Sequence, residues 1–323
     1  MRYIILTTLF LACIFGLQAQ QKKISYTTKT FKASTVKSLN ANTIGGSINV
    51  EGTSGDASVE IVLAPNGKLK YSRIEELKDI FEKEYDLNLT VKDGTLLVKV
   101  KRKSGFSANH PLSVSYVIHV PTKISSQVRT SGGSISISNL IGNQTFATSG
   151  GSLTVNNLDG NIDGKTSGGS ITAKSSKGNI QISTSGGSIT MEQLNGTIVA
   201  KTSGGSITAK RVVGKLNAAT SGGSINLDGI EGDVQAATSG GSVNATIAKI
   251  TNPLNLSTSG GSINLKIPKG GYNLDLSGTK VNVDNLDNFS GSTKRDRVTG
   301  NVGGGGHAIT AKTSAGTVNL SWL

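Results

Sequence analysis

Carboxylates and histidines are the side chains of this chain that could do acid–base chemistry, and they are thinly spread. Within the regular repeats described below, the acids are Asp159, Asp163, Glu192, Asp228, Glu231, Asp233 and Asp275. Cleavage of a polysaccharide needs two carboxylates, or a base with an electrophilic partner, in one groove. These acids form no recurrent pair, and His110, His119 and His307 lie outside the regular repeats, with His119 expected to point outward from a strand. The sequence therefore predicts a protein that is not an enzyme, with no catalytic residues.

Metal and phosphate sites are not predicted either. The single cysteine, Cys13, lies in the leader, so the mature chain has no thiolate ligand. Calcium-binding rolls place an aspartate after each glycine-rich turn, whereas Ser and Ile follow the turn here. Asp228, Glu231 and Asp233 do cluster in one unit, and we interpret them as solvated acids rather than a cation site. No Gly-Lys-Ser/Thr element follows a strand, so we expect no phosphate loop and no cofactor.

The first 19 residues are typical of a secretory signal peptide. Arg2 precedes an apolar run from Tyr3 to Leu17, and cleavage is expected after Ala19. A lipoprotein signal ending at Cys13 is the alternative. No later segment has the roughly 20 apolar residues of a membrane span. The sequence therefore predicts an exported protein, periplasmic, at the cell surface or extracellular, with no transmembrane span.

An internal repeat dominates the rest of the chain and is the element that must position any site. The string Ser-Gly-Gly begins at Ser131 and recurs six times at intervals of 18 residues and once more after 20. Each unit opens with Thr-Ser-Gly-Gly-Ser, and Thr is counted as position 1. We expect the paired glycines to form structural turns with backbone angles that other residues resist. These glycines are Gly132, Gly133, Gly150, Gly151, Gly168, Gly169, Gly186, Gly187, Gly204, Gly205, Gly222, Gly223, Gly240, Gly241, Gly260 and Gly261.

Apolar residues two apart, bounded by glycines, indicate short strands. Positions 6 and 8 are apolar in every unit, as in Ile189 and Met191, and position 15 is aliphatic in most units, with Gln144 as an exception. An unbroken period of this length predicts an all-β, single-stranded parallel β-helix, a β-solenoid with 18-residue coils. Parallel crossovers are nearly always right-handed, so a right-handed coil is expected.

The chain is expected to divide into four segments. Residues 1–19 are the signal peptide, and 20–125 are an irregular solenoid or capping region with one helix near 73–84. Residues 126–276 hold the regular repeats, and 277–323 hold irregular coils and a cap that Trp322 could close. We interpret the helix as an amphipathic cap over a sheet edge rather than a partner-binding helix. The stretch from Ser290 to Gly306 is expected to be a mobile loop.

Positions 5 and 7 should point outward when 6 and 8 point inward. They form a ladder of small polar residues, from Ser134 and Ser136 to Ser262 and Asn264. A regular hydroxyl array is similar to the faces of ice-binding solenoids. Hydrogen bonds from rung to rung are a simpler explanation for such residues.

The chain is strongly basic and poor in aromatic residues. It has 33 Lys and Arg against 20 Asp and Glu, a net charge of +13, and only 4% aromatic residues. In an exported protein this charge favours attraction to anionic glycans or to envelope and surface components. Too few aromatic residues are present for base stacking, so we expect no nucleic-acid partner. The oligomeric state is left open.

Val120-Pro121 leads into the run of Thr-Ser-Gly-Gly-Ser-Ile units after a leader and a strand-rich segment. In this the chain resembles the adhesin β-strand-repeat family of exported bacterial proteins over nearly all of its mature length. The resemblance implies a non-enzymatic adhesin or surface interaction rod and carries over no site residues. A structural envelope component with a protein partner is the alternative, followed by a polysaccharide-active β-helix enzyme or an ice-binding protein.

Overall fold

The computed structural model describes residues 23–66, 74–106 and 111–323. The predicted signal peptide and His110 lie outside these residues. Within them the chain is all-β, as predicted, apart from the helix α1, Ile74–Glu84, and one turn of 3₁₀ helix at Ala33–Thr35. No described helix is long and apolar enough to span a bilayer.

The repeats form two parallel sheets that enclose one core. Leu153 pairs with Ile171 and Ile171 with Ile189, so strands of successive units stack in register. The strands of this region are β8 Ser125–Thr130, β9 Ile135–Ser138, β10 Ile141–Thr148, β11 Leu153–Asn156, β12 Asp159–Thr166, β13 Ile171–Lys174, β14 Lys177–Ser183, β15 Ile189–Glu192, β16 Asn195–Lys201, β17 Ile207–Lys210, β18 Val213–Thr220, β19 Ile225–Thr238, β20 Val243–Thr258 and β21 Ile263–Ile267. Each unit therefore contributes one rung to each sheet. We call the face with positions 12 to 18 sheet A and the face with positions 6 to 9 sheet B; β19 and β20 each run from sheet B into sheet A without a break.

The buried side chains follow a fixed pattern in each unit. Ile189 and Met191, at positions 6 and 8, are fully buried, as is Ile198 at position 15. Positions 11 and 17, such as Leu194 and Ala200, complete the core. Because parallel sheets bury the same position in every rung, one alternating strand pattern produces a continuous column of apolar contacts.

Gln144 is one polar exception in this core, beside Ser126 and Ser176, and its amide is satisfied. Its Nε2 donates to the carbonyl oxygen of Ile124 at 2.7 Å, and its Oε1 accepts from the hydroxyl of Ser126. A buried amide with both ends paired costs far less than an unpaired one. Gln144 therefore occupies a core position of the first rungs without leaving a buried amide group unpaired.

Two corners of the coil use the left-handed backbone region. Position 13 is glycine with φ between 113° and 134° at Gly142, Gly160, Gly178, Gly196, Gly214 and Gly232. Position 10 also has a positive φ, near 50°, although it holds residues such as Asn157 or Arg211. Asn tolerates this region better than most residues, whereas Arg does not. The stacked rungs thus impose the corner geometry on whatever residue occupies position 10.

The N-terminal end is built in a different chain order. Its strands are β1 Ile24–Phe31, β2 Ser38–Thr43, β3 Ile48–Thr53, β4 Ala57–Pro65, β5 Tyr85–Lys92, β6 Thr95–Arg102 and β7 Leu112–Pro121. β2 lies between β6 and β8, and β3 lies between β7 and β9. The chain thus forms one rung, leaves it to build the end of the molecule, and returns on the other side of that rung.

Helix α1 lies over this end. Phe81 is buried, with its ring centroid 4.7 Å from that of Tyr26 on β1 and 5.5 Å from that of Tyr85 on β5. β1 and β5 are the outermost strands of the two sheets at this end. The helix therefore joins both edge strands, and its buried face also contains Leu77.

At the C-terminal end, as at the N-terminal end, the order of the rungs differs from the order of the strands along the chain. Its strands are β22 Tyr272–Ser277, β23 Lys280–Val283, β24 Ser290–Thr293, β25 Arg297–Val302, β26 His307–Thr313 and β27 Thr317–Trp322. β26 inserts between β20 and β22, and β27 between β21 and β23. The expectation of a loop from Ser290 to Gly306 is wrong for most of its length, because β24 and β25 form an antiparallel pair there, and β25 also pairs with β22.

Candidate interaction surface

The turn that opens each unit is held by a buried threonine. The hydroxyl of Thr202 donates to the carbonyl oxygen of Gly187 at 2.8 Å, and the N–H of Gly205 donates to the same hydroxyl at 3.3 Å. Equivalent bonds to a glycine of the preceding rung are made by Thr130, Thr148, Thr166, Thr184, Thr220, Thr238, Thr258 and Thr313. These hydroxyls stabilise the rod and are not available to a ligand.

The paired turn glycines are needed for space rather than for unusual backbone angles. Their φ values lie outside the left-handed region, which corrects the reason expected from the sequence. A Cβ on Gly187 would lie 2.1 Å from the carbonyl oxygen of Gly169, whereas one on Gly186 would lie 3.5 Å from that of Gly168. Only the second glycine of each pair is therefore excluded from carrying a side chain by the stacking.

Sheet B presents a polar outer face. Ser188 and Ser206, at position 5, are linked because the Ser206 N–H donates to the Ser188 hydroxyl at 3.2 Å. At position 7 a run of threonines gives way to asparagines, and Asn264 donates to Asn244 at 2.8 Å. The groove along this face, about 440 Å³ in volume, includes Thr208 in its lining. This face thus offers rows of hydroxyl and amide groups already linked from rung to rung.

Sheet A presents a second polar face. At position 14, Asn161 donates to Asn143 at 2.9 Å, and Asn179 donates to Asn161 at 3.0 Å. A shallow groove of about 360 Å³ runs beside this amide row and is lined also by Thr145 and Gln181. Amide rows of this kind can hydrogen-bond a chain of hydroxyl groups laid along the rod.

The acids that sequence analysis considered for catalysis are mostly held in ion pairs. Asp159 lies 3.3 Å from Lys177, Asp163 lies 3.0 Å from Lys165, and Asp233 lies 3.4 Å from Lys215. Glu192 contacts Lys174 and Arg211, and Asp275 contacts Arg297 and Lys312. Of these acids, Glu231 and Asp233 lie together in the lining of one groove of about 400 Å³, which Lys215 and Lys249 also line.

Two of these carboxyls have shifted acidities. Hydrogen bonding and attraction from Lys174, together with Arg211, hold the pKa of Glu192 below its usual range. A hydrogen bond from Lys312, with further attraction from Arg297, lowers the pKa of Asp275. Both groups are therefore ionised acceptors for neighbouring cations and not proton donors near neutral pH.

The two described histidines, His119 and His307, lie far apart. His119 Nδ1 lies 3.1 Å from the hydroxyl of Ser58, and its Nε2 lies 3.7 Å from Glu51, on the N-terminal strands. His307 is exposed on β26, at the other end. In the described part of the chain, no three His, Cys, Asp or Glu side chains, including Asp228 and Glu231, form a group able to hold a metal.

One cavity at the C-terminal cap contains the only tryptophan. It measures about 290 Å³ and is lined by Trp322, Lys269 and Asp287, among others. The indole Nε1 of Trp322 donates to the carbonyl oxygens of Asp284 and Asn285 at 2.6 and 3.1 Å, and its ring stacks on Tyr272. The polar atom of this ring is thus used to close the cap.

The comparisons with known proteins agree with the resemblance drawn from the repeats. The family model described as Toastrack DUF4097 matches residues 77–321. No curated protein matches the chain.

Solved structures similar to this chain include three bacterial proteins. A candidate cell adhesion protein from Clostridium sporogenes is 11% identical, with 94% of this chain and 100% of that chain covered, at a TM-score of 0.22. A candidate adhesin from Bacteroides fragilis is 15% identical, covering 94% and 98%, at a TM-score of 0.31. A candidate lipid-binding protein from Parabacteroides distasonis is 13% identical, covering 92% and 96%, at a TM-score of 0.34.

Proposed function

The chain belongs to the Toastrack DUF4097 family, and we propose that it is a non-enzymatic, exported adhesin whose rod binds surface components through the outer faces of its two sheets. We propose that the coil of this rod is right-handed, because parallel crossovers are nearly always right-handed. Its ligands are anionic glycans or other envelope components rather than nucleic acid.

The observation that carries the proposal is the repetition of outward polar groups in register. Asn143, Asn161 and Asn179 occupy one line on sheet A, and Thr172, Thr190 and Thr208 occupy one line on sheet B. Each rung offers a few weak contacts to a long ligand. Many such contacts made together give an avidity that no single rung provides.

The arrangement of the acids supports a binding role over catalysis. Glu192 and Asp275 have pKa values below their usual range because each carboxylate faces two cations. A general acid needs a pKa near the working pH, and these carboxyls are moved away from it. A polysaccharide-active enzyme is therefore less well supported than an adhesin.

The proposal is tested with purified residues 20–323 against isolated envelope fractions and a panel of neutral and anionic glycans. An adhesin of this kind should bind in a saturable manner, and binding should weaken as salt rises because exposed charges are screened. Capture of one protein partner without glycan binding would favour the structural envelope component instead. Shortening of any glycan during the assay would favour an enzyme.

A further inference from the structure

One column of sheet A collects cations that are far apart in sequence. Lys99 on β6 pairs with Asn42 on β2, and Asn42 pairs with Arg129 on β8. The rung order of the N-terminal end, in which β2 lies between β6 and β8, is what brings Lys99 into this column. No sequence period connects it to the repeats.

The column continues through position 18 of the repeats. Arg129 pairs with Ala147, Ala147 with Lys165, Lys165 with Ser183, and Ser183 with Lys201. Cations therefore occupy every second rung, at Lys99, Arg129, Lys165 and Lys201, and the uncharged residues Asn42, Ala147 and Ser183 occupy the rungs between. With strands about 4.8 Å apart, neighbouring cations stand roughly 9.5 Å apart along the rod. We call these four residues the basic ladder.

The basic ladder is exposed and carries one sign of charge. Arg129, Lys165 and Lys201 are exposed, and Lys99 is partly exposed. Among the described residues, Lys165 alone of the four has an acid within 4 Å, Asp163 at 3.0 Å, and such an exposed pair contributes little. The ladder therefore keeps a positive field along four alternate rungs.

The column at position 9 of sheet B carries charges of both signs. At position 9, Lys174, Glu192, Lys210 and Asp228 follow one another on successive rungs. Opposite charges there neutralise each other, with Lys174 lying 3.4 Å from Glu192. Clustering of like charge on sheet A is thus not a general consequence of a basic composition.

We propose that the basic ladder binds a linear anionic polysaccharide that carries one acidic group on every second sugar. This inference rests on the proposed adhesin function and names its ligand class and binding face. Pyranose units in an extended chain advance by a distance close to the strand spacing, so an acidic sugar in each disaccharide meets a cation on each second rung. The intervening neutral sugars lie over Ala147 and Ser183, which leave room for them.

The neighbouring residues suit such a chain. Positions 14 and 16 beside the ladder hold amides and hydroxyls, including Asn143, Asn161 and Gln181, which can bond sugar hydroxyl groups. Nucleic acid fits less well, because its phosphates follow one another at about 3.4 Å along a B-DNA strand. Positions 14, 16 and 18 from Ser125 to Thr220 also hold no aromatic residue on which bases could stack.

The first test removes the charges of the ladder. Hyaluronan fragments are the probe, because they carry one carboxylate per disaccharide. Arg129→Ala/Lys165→Ala/Lys201→Ala should weaken their binding about tenfold. The matched control, Lys174→Ala/Lys210→Ala/Lys266→Ala, removes the same net charge from position 9 of sheet B and should bind as the parent does. Equal weakening in both variants would show a nonspecific charge effect and overturn the proposal.

The second test moves one charge by one rung. Ser183→Lys/Lys201→Ser keeps composition and net charge but places the moved cation directly beside Lys165. The altered spacing should weaken hyaluronan binding several-fold while melting stays close to that of the parent. Unchanged affinity would show that spacing is irrelevant and would overturn the alternate-rung match.

Three further probes separate this inference from the proposed function. The parent should prefer hyaluronan fragments to single-stranded DNA and to vesicles with anionic lipid, and the reverse preference would overturn the ladder as a polysaccharide site. If the ladder variants keep full binding to envelope fractions, the ladder proposal fails while the adhesin proposal stands. If the parent binds no envelope fraction and no glycan, the proposed function itself fails.

Discussion

The hydroxyl of Thr184 lies 2.8 Å from the carbonyl oxygen of Gly169 in the preceding rung, and the N–H of Gly187 donates to the same hydroxyl at 3.3 Å. One buried side chain therefore joins the turn of its own unit to the turn beneath it. Since the same pair of bonds recurs along the rod, the turns are stacked by side chains as well as by the strand ladders.

Removing this hydroxyl should cost stability. Thr184→Val keeps the shape of the side chain but leaves the Gly169 carbonyl and the Gly187 N–H without their partner, at a cost of about 1–3 kcal/mol. Thr184→Ser keeps the hydroxyl and should lose less. Urea unfolding of the two variants measures the difference, and equal losses would show that the methyl group rather than the hydroxyl matters.

The two glycines of one turn should differ in tolerance. Gly187→Ala would place a Cβ 2.1 Å from the Gly169 carbonyl oxygen and force the rungs apart, at a cost of about 3 kcal/mol. Gly186→Ala finds its nearest atom at 3.5 Å, an ordinary contact, and should change stability little. Thermal melting compares them directly. Equal loss in both would mean that backbone conformation, and not rung spacing, selects glycine at this turn.

A core pair in neighbouring rungs should be energetically coupled. A Cβ on Gly164 would lie 2.5 Å from Cε2 of Phe146, so the aromatic ring occupies the space that the glycine leaves. Gly164→Ala should cost about 1–3 kcal/mol, and Phe146→Ala about 3–5 kcal/mol. The double variant should lose less than the sum of the two, which a double-mutant cycle measures. Strict additivity would contradict this packing relationship.

The core residues and the residues of these three predictions differ in how far the sequence predicts their roles. The period and the alternation at residues such as Ile189 and Met191 predicted an all-β stack and its inward positions, because every rung repeats the same environment. The buried role of Thr184 could not be read from its type, since Thr is usually exposed. The match of Phe146 to Gly164 depends on two particular rungs and breaks the period.

The ends and the binding face were harder to predict for a related reason. Ile48 pairs with Ile135, and Ile263 pairs with Val318, although these copies of the repeat are not separated by a multiple of 18 residues. The rung order at both ends therefore needed the three-dimensional pairing. The basic ladder was missed for the same reason, because Lys99 joins Arg129 only through β2.

Acid titration should report the ion pairs of sheet B. Lys174 and Arg211 lower the pKa of Glu192 in the folded protein. The ionised carboxylate therefore stabilises the folded state at pH values above the ordinary carboxyl pKa. This stabilisation is lost as the pH falls through the lowered pKa of Glu192 in the folded protein. Carboxyl NMR should find the Glu192 pKa below that of an unpaired glutamate. Lys174→Ala should raise it, whereas Lys266→Ala should leave it unchanged. A Glu192 pKa at the ordinary value in the parent would show that these contacts do not persist in solution.

The most direct test of a rod that binds through repeated rungs is to shorten it in frame. Deleting residues 167–184, or 167–202, recreates Thr-Ser-Gly-Gly-Ser at the junction and removes one or two whole units. Both proteins should still fold, since each rung contacts only its neighbours and the rungs on the two sides of the deletion present equivalent surfaces. Their affinity for envelope fractions should fall with each unit removed, as multivalency requires. Folded deletion proteins that bind as tightly as the full-length chain would contradict the account, since binding would then reside in one discrete site elsewhere.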